Sequence, residues 1–192
     1  MQVLRAADYR RMPWKNGGGE TAEIAVHPPA AGLDGFGWRV SMATVASGGP
    51  FSSFPGIDRT LCVLTGAGLR LDIEGSAPIL LDAQSNPCSF PADVATSASL
   101  IEGMITDLNV MTRRGIFTHS VERLVGPCSV PPKEDVRMLL CRTGRLKVST
   151  GGDILVLHPL DALLAEARDV LDTAEGADFF LIRIRKVAPH FV

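Results

Sequence analysis

Nineteen glycines and thirteen prolines, spread along 192 residues, cut this chain into short apolar runs. Many of the runs alternate apolar and polar residues with period two, the spacing of a half-buried β-strand, and long amphipathic helical patterns are scarce. Short strands separated by turns predict an all-β sandwich or barrel. The strands are expected at 21–27, 36–45, 59–64, 68–73, 78–81, 98–101, 104–112, 136–142, 145–149, 154–157, 161–166 and 179–187. The stretch from Asp161 to Arg168 is rich in Ala and Leu and reads equally as a helix.

A pattern then repeats. Leu61 to Leu71 reads as strand, glycine turn and strand, and Met138 to Val148 does the same around a tighter turn. Each is followed by an aspartate that opens a strand ending in arginines, Asp107 to Arg114 and Asp178 to Arg185. A degenerate duplication of one barrel unit follows, with residues 1–124 as the first unit and 125–192 as the second. The Pro-rich segment Val125 to Pro132 is the expected joint, and the two units are expected to pack as one compact body.

Strand alternation puts Asn109, Met111 and Arg113 on the face of Asp107. The corresponding face of the second unit is expected to be Phe180, Ile182 and Ile184 beside Asp178. One face is polar and the other apolar, so the first barrel is expected to hold a ligand cavity and the second to be filled by its own side chains. The competing reading turns the Asn109 face to solvent.

Charge narrows the partners. Nineteen basic residues stand against twenty-one acidic ones, which leaves a net charge of −2 and no electrostatic footprint for nucleic acid or an anionic membrane. A small molecule is the default partner. Arg5, Asp8, Arg10 and Arg11 occupy the positions where a signal peptide would be apolar, and no run approaches the roughly 18 apolar residues of a membrane helix. Cys62, Cys88, Cys128 and Cys141 make no C-x-x-C pair and read as small hydrophobes. Together these features point to a reduced, cytoplasmic protein.

The chemistry-bearing residues exclude several mechanisms. His27, His119, His158 and His190 are isolated from one another, so no transition-metal site and no cofactor is expected. No G-x-S-x-G elbow marks a nucleophile. Trp14-Lys15-Asn16-Gly17-Gly18-Gly19 has a lysine ahead of its glycines, the reverse of a phosphate-binding loop, and Asn16-Gly17 also reads simply as a turn supplying positive φ. What stands out is a set of fixed charges and amides in apolar or tightly turned sequence: Lys15, Asn16, Arg39, Ser41, Asp58, Arg59, Asp107, Asn109, Arg113 and Arg114. One reading pairs Arg39, Arg59 and Arg113 with Asp58, Glu23 and Asp107 in structural ion pairs. The other leaves part of the set to hold a carboxylate-bearing ligand. A mixture of the two is expected, with Lys15 and one arginine facing the ligand.

Read together, Met12 to Pro28, Phe36 to Leu71 and Leu100 to Gly115 resemble the HutD/Ves family, with specific motifs from about residue 9 to 115 and only general pattern beyond. Its motifs fall on Trp14 to Gly19, on Thr21, Glu23 and Ile24, on Trp38, Arg39 and Ser41, on Phe51 to Arg59, and on Asp107 to Arg114. The resemblance implies a double-barrel cupin of the RmlC-type jelly roll, without the cupin metal ligands and associated with bacterial histidine utilisation. It further implies a small anionic pathway metabolite as partner: formiminoglutamate, formylglutamate or urocanate. The implied ligand contacts are Trp14, Lys15, Asn16, Arg39, Ser41, Asp58, Arg59, Asp107, Asn109 and Arg113. Lys15, Arg39 and Arg59 would hold the carboxylates, and Asp107 and Asn109 would read an amide or imine nitrogen. Ala22, Ala92 and Met104 depart from the family pattern, the first in place of an arginine.

Three function classes follow. The leading one is a non-enzymatic binding protein that senses or governs the pathway. The second is a metal-free enzyme that isomerises or hydrolyses the same metabolite with Asp107 or Glu23 as general base, marked by a carboxylate of raised pKa not locked to an arginine. A protein-binding module would need a large exposed apolar patch, and none is obvious. Tandem barrels can close on each other or pair into a homodimer.

Overall fold

The computed structural model describes residues 1–132, 136–150, 152–165, 168–174 and 176–188. Among them the regular structure is β-strand, apart from one 3-10 turn at Ala6–Asp8. The strands are β1 (Gln2–Leu4), β2 (Arg10–Pro13), β3 (Gly19–His27), β4 (Trp38–Val45), β5 (Gly49–Pro50), β6 (Ile57–Thr65), β7 (Leu69–Ile73), β8 (Ile79–Leu81), β9 (Cys88–Pro91) and β10 (Thr96–Leu100). They continue as β11 (Ile105–Arg113), β12 (Phe117–Val125), β13 (Cys128–Val130), β14 (Val136–Gly144), β15 (Leu146–Thr150), β16 (Asp153–Leu157), β17 (Ala162–Ala165), β18 (Leu171–Thr173) and β19 (Ala177–Lys186). The stretch that read equally as helix is therefore the strand β17.

The chain forms two compact units, Arg10–Thr118 and Met1–Tyr9 with His119–Val192. The sequence reading divided the chain after residue 124, whereas the division falls at 118 and the first nine residues go with the C-terminal unit. Val125 to Pro132 accordingly runs from the end of β12 through β13, inside that unit.

Each unit is built from two sheets, and the two are wired alike. The N-terminal unit has a large sheet in the order β2-β3-β4-β11-β6-β9 and a small one in the order β5-β10-β7-β8. The C-terminal unit has β1-β17-β14-β19-β12 and β13-β18-β15-β16. Adding eight to β4 through β11 turns the first pattern into the second, which identifies the duplication at the level of topology. β12 escaped the sequence reading because its residues are half-buried or exposed throughout, so it carries no strong apolar stripe.

Inside the N-terminal unit, Ala43, Val45, Leu61, Val63 and Phe90 from the large sheet pack against Leu69, Leu71, Ile73, Leu81 and Ala98 from the small one. The C-terminal unit does the same with Leu139, Cys141, Phe179 and Leu181 against Leu146, Val148, Leu157 and Leu171. The sequence reading placed Phe180, Ile182 and Ile184 on that inner face. They are buried on the opposite face, together with Asp178: Phe179 opposes Cys141 as Asp107 opposes Val63, so Asp178 corresponds to Thr106 rather than to Asp107, and every residue counted in steps of two from it falls on the other face. The second barrel is filled, but by the neighbours of the residues expected to fill it.

Candidate functional site

The inner face of the N-terminal unit is apolar at both ends and polar between. Directly opposed residues of neighbouring antiparallel strands share a face. The register Ile105↔Val45, Asp107↔Ala43, Asn109↔Ser41, Met111↔Arg39 therefore carries the inner face of β4 and β11 from apolar to polar. On the other flank of β11, Asn109 opposes Leu61 and Met111 opposes Arg59, while Glu23 on β3 opposes Ser41. Below this belt Phe36, Ile57, Ala92 and Met111 form a second apolar cluster. Trp38 lies on the outer face, stacked on His27 at 5.7 Å between ring centroids, which is what turns Arg39 inward.

The belt contains two cations and two carboxylates in unlike conditions. Arg39 is satisfied: its Nε donates to Glu23 Oε2 at 2.7 Å and its Nη1 to Ser41 Oγ at 3.4 Å. Arg59 is not. It is 5% exposed, and its guanidinium carbon lies 5.1, 5.4 and 5.9 Å from the ring centroids of Phe51, Phe54 and Phe90. Its Nη2 donates to the Ser52 carbonyl at a long 3.4 Å, and its buried Nε has no partner. Burial lowers its pKa to about 10, against the pull of Asp107, so it stays charged at neutral pH. Three aromatic faces stabilise a desolvated cation by cation–π attraction, but they accept no N–H in the guanidinium plane.

Asp107 is the matching acid. It is 2% exposed, and its Oδ1 accepts from Asn109 Nδ2 at 2.6 Å. Among the described residues no cation stands at ion-pair distance from it. Burial pushes its carboxyl up to about 7, with Arg59, the Ala43 backbone amide and Asn109 pulling the other way. Desolvation of an unpaired carboxylate is the dominant cause of such a rise.

Several expected contacts lie elsewhere. Trp14 to Gly19 is the hairpin loop between β2 and β3. Gly17 supplies the positive φ of +70°, its N–H bonds the Trp14 carbonyl, and Asn16 Oδ1 accepts from the Gly18 N–H at 3.0 Å. At Gly19 a Cβ would sit 2.3 Å from the Thr44 carbonyl, under the Trp14 ring. This loop opposes Val45, six residues along β4 from Arg39, or about 20 Å at ~3.3 Å per residue. Trp14, Lys15 and Asn16 are therefore not brought to Arg39 and Arg59, and Lys15 is exposed. Asp58 faces outward and pairs with Arg114, which also bonds Asp93. Arg113 closes the barrel end by donating to the carbonyls of Phe36 and Asp34. The structure thus keeps Arg39, Ser41, Arg59, Asp107 and Asn109 together and adds Glu23. The expected cavity takes the form of a packed polar belt, covered by the Phe51 to Phe54 strap. The phenylalanine cage was missed, because Phe90 reaches Arg59 only through the pairing of β6 with β9.

In the C-terminal unit the equivalents of Asp107 and Asn109 are Phe179 and Leu181, and no belt forms. Asp178 is instead on the outer face, held by Arg123 at 2.6 Å and by Arg142. Among the described residues no three His, Cys, Asp or Glu side chains gather as a metal-binding group, and no helix is long and apolar enough to cross a membrane.

Comparison with known proteins decides the family. The HutD family model matches residues 6–181. The chain belongs to the HutD family. A Pseudomonas putida relative, an uncharacterised 21.2 kDa protein in the hutC 3′ region, is 37% identical over 89% of this chain and 90% of its own length. Protein Ves of Citrobacter koseri is 41% identical over 56% of each chain. Among solved structures, a conserved protein of unknown function from Pseudomonas aeruginosa PAO1 superposes with a TM-score of 0.86 at 33% identity, covering 96% of this chain and 98% of its own. HutD from Pseudomonas fluorescens SBW25 superposes with a TM-score of 0.84 at 31% identity, covering 97% and 99%. A cupin barrel protein from Leptotrichia buccalis, at 10% identity and a TM-score of 0.59 over 96% of this chain and 100% of its own, shares the fold. The fold of this HutD-family chain is therefore cupin.

Proposed function

We propose that this protein binds a small carboxylate-bearing metabolite of histidine breakdown inside its N-terminal barrel and acts as a sensor or governor of that pathway. The observation that carries the reading is Arg59, a buried guanidinium with an orphaned Nε and no carboxylate at ion-pair distance among the described residues. A buried cation left in that state costs several kcal/mol. A ligand carboxylate presenting two oxygens to the guanidinium fork offsets the cost, and the Ser52 carbonyl at 3.4 Å is a weak substitute for it. Entry of the ligand displaces the Ser52–Ser53 strap, whose two serines are exposed.

The pathway comes from the relatives: the Pseudomonas putida protein lies in the hutC 3′ region and the Pseudomonas fluorescens structure is a HutD. Formiminoglutamate, formylglutamate and urocanate each bring a carboxylate for Arg59 and a polar far end for Asp107 and Asn109. Calorimetric titration of the purified protein with each of the three tests this. Binding by one of them that Arg59→Met abolishes supports the reading; no heat from any of the three removes it.

One observation favours a second reading. A buried carboxyl that titrates near neutrality beside a binding arginine is suited to general acid–base work without a metal, and Asp107 is such a group. An NMR time course of each bound metabolite separates the two: an unchanged ligand supports the sensor, and a product signal supports a metal-free enzyme.

A further inference from the structure

Glu23 and Arg39 neutralise each other at 2.7 Å, which leaves Arg59 and Asp107 as one cation and one anion that sense each other without touching. The groups facing Asp107 can be enumerated by element. β11 offers Asn109, β4 offers Arg39 and Ser41, β6 offers Arg59, β3 offers Glu23 and β9 the Cys88 thiol, while the Cys62 thiol of β6 lies across from Leu108 on the opposite face. Both thiols are pushed up by burial and stay protonated. The small sheet contributes apolar side chains to the shared core, among them Leu71, Ile73 and Ala98, and the buried Thr96 hydroxyl, which donates to the Val94 carbonyl and does not titrate. A carboxylate ligand on Arg59 adds an uncompensated negative charge to this closed interior. Arg39 is already occupied, and so is Glu23. Only Asp107 can restore the balance, by taking a proton on Oδ2 while Oδ1 keeps its hydrogen bond from Asn109.

We infer that occupation of Arg59 by a carboxylate is coupled to uptake of one proton at Asp107, so that this site reads pH together with ligand. The inference rests on the anion-binding reading of Arg59. The linkage sets its sign: ligand binding favours protonated Asp107, so affinity is high while the carboxyl is protonated before binding and falls as pH rises above that range. The proton then makes Asp107 a hydrogen-bond donor beside the ligand.

Formate is the probe, as a carboxylate that stays ionised across the range and carries no other group. Its affinity is read from the Arg59 Nε–H signal by NMR at half-unit steps from pH 6 to 8.5, alongside the ¹³C carboxyl signal of Asp107. The expected result is affinity falling about tenfold per pH unit above 7, an Asp107 titration that moves upward with formate, and pH-independent binding in Asp107→Asn. Formate that binds Arg59 equally at pH 6 and 8.5, or an unchanged slope in Asp107→Asn, overturns the coupling while leaving the anion site standing. An Asp107 carboxyl already ionised at pH 5 in the free protein overturns it without any ligand. If formate does not move the Arg59 signal, the anion-binding reading falls, and the coupling with it.

Discussion

Asp107 in the N-terminal barrel occupies the position that Phe179 holds in the C-terminal one. Asp107 opposes Val63 and Phe179 opposes Cys141, and in each case the next inward pair is Asn109 with Leu61 or Leu181 with Leu139. The same register sets Arg59 beside Met111 and Arg137 beside Arg183. Arg137 donates to the carbonyls of Val130 and Pro131, whereas Arg59 is ringed by phenylalanines. One duplicated scaffold thus holds a belt of charges and amides in one copy and, Arg137 apart, an apolar interior in the other.

Arg59→Met is expected to trade function for stability. The substitution keeps an extended side chain among Phe51, Phe54 and Phe90 while removing a buried cation without an ion-pair partner among the described residues, a group whose desolvation is costly. Thermal unfolding should shift upward by a few degrees, and calorimetry should record at least a hundredfold loss of carboxylate affinity. A lowered Tm would mean that Arg59 stabilises the fold.

Asp107→Asn is expected to flatten the dependence of stability on pH. The folded carboxyl is raised to about 7 while an unfolded aspartate titrates near about 4. The folded state therefore holds the extra proton between those values, and stability contributed below about pH 4 is lost as pH rises toward and through 7. The wild type should lose Tm from pH 5 to 8, and Asp107→Asn should lose less and be the more stable protein at pH 8. Parallel curves for the two proteins would contradict this.

Asp178→Asn is expected to destabilise the protein by roughly 3 kcal/mol, because it removes the carboxylate that Arg123 and Arg142 share. Burial raises the Asp178 carboxyl and the hydrogen bonds from Arg123 and Arg142 more than reverse that, leaving it below the usual range. Urea unfolding above pH 6 reads the loss. Arg123→Met with Arg142→Met in the same variant should recover most of it.

Lys15→Ala is expected to leave affinity for a carboxylate metabolite within about twofold of wild type, since its loop opposes Val45 rather than Arg39. Gly19→Ala, in the same loop, should lower stability by more than 1 kcal/mol, because the new methyl meets the Thr44 carbonyl at 2.3 Å. A tenfold loss of affinity in Lys15→Ala would return that lysine to the site.

Much of this was legible in the sequence. Period-two runs between glycines and prolines specified strands, and the repeated strand-turn-strand pattern around Gly66 and Gly144 marked the duplication. Arg39, Ser41, Arg59, Asp107 and Asn109 could be named because charged and amide residues inside apolar runs have few cheap places to go. The partners of those charges could not be named. Arg39 finds Glu23 across β3 and β4, Asp58 turns out to Arg114, and Phe90 reaches Arg59 from just over thirty residues on; each depends on which strands pair and in what register. Phe179 turns inward in place of Phe180 because Asp178 matches Thr106 and not Asp107 in the paired register, a correspondence that two similar aspartate-led motifs conceal. Sequence by itself determined which residues must be satisfied, because the cost of burying a charge belongs to the residue. Only the tertiary structure decided that Arg39 is satisfied and Arg59 is not, because satisfaction depends on contacts between strands far apart in the chain.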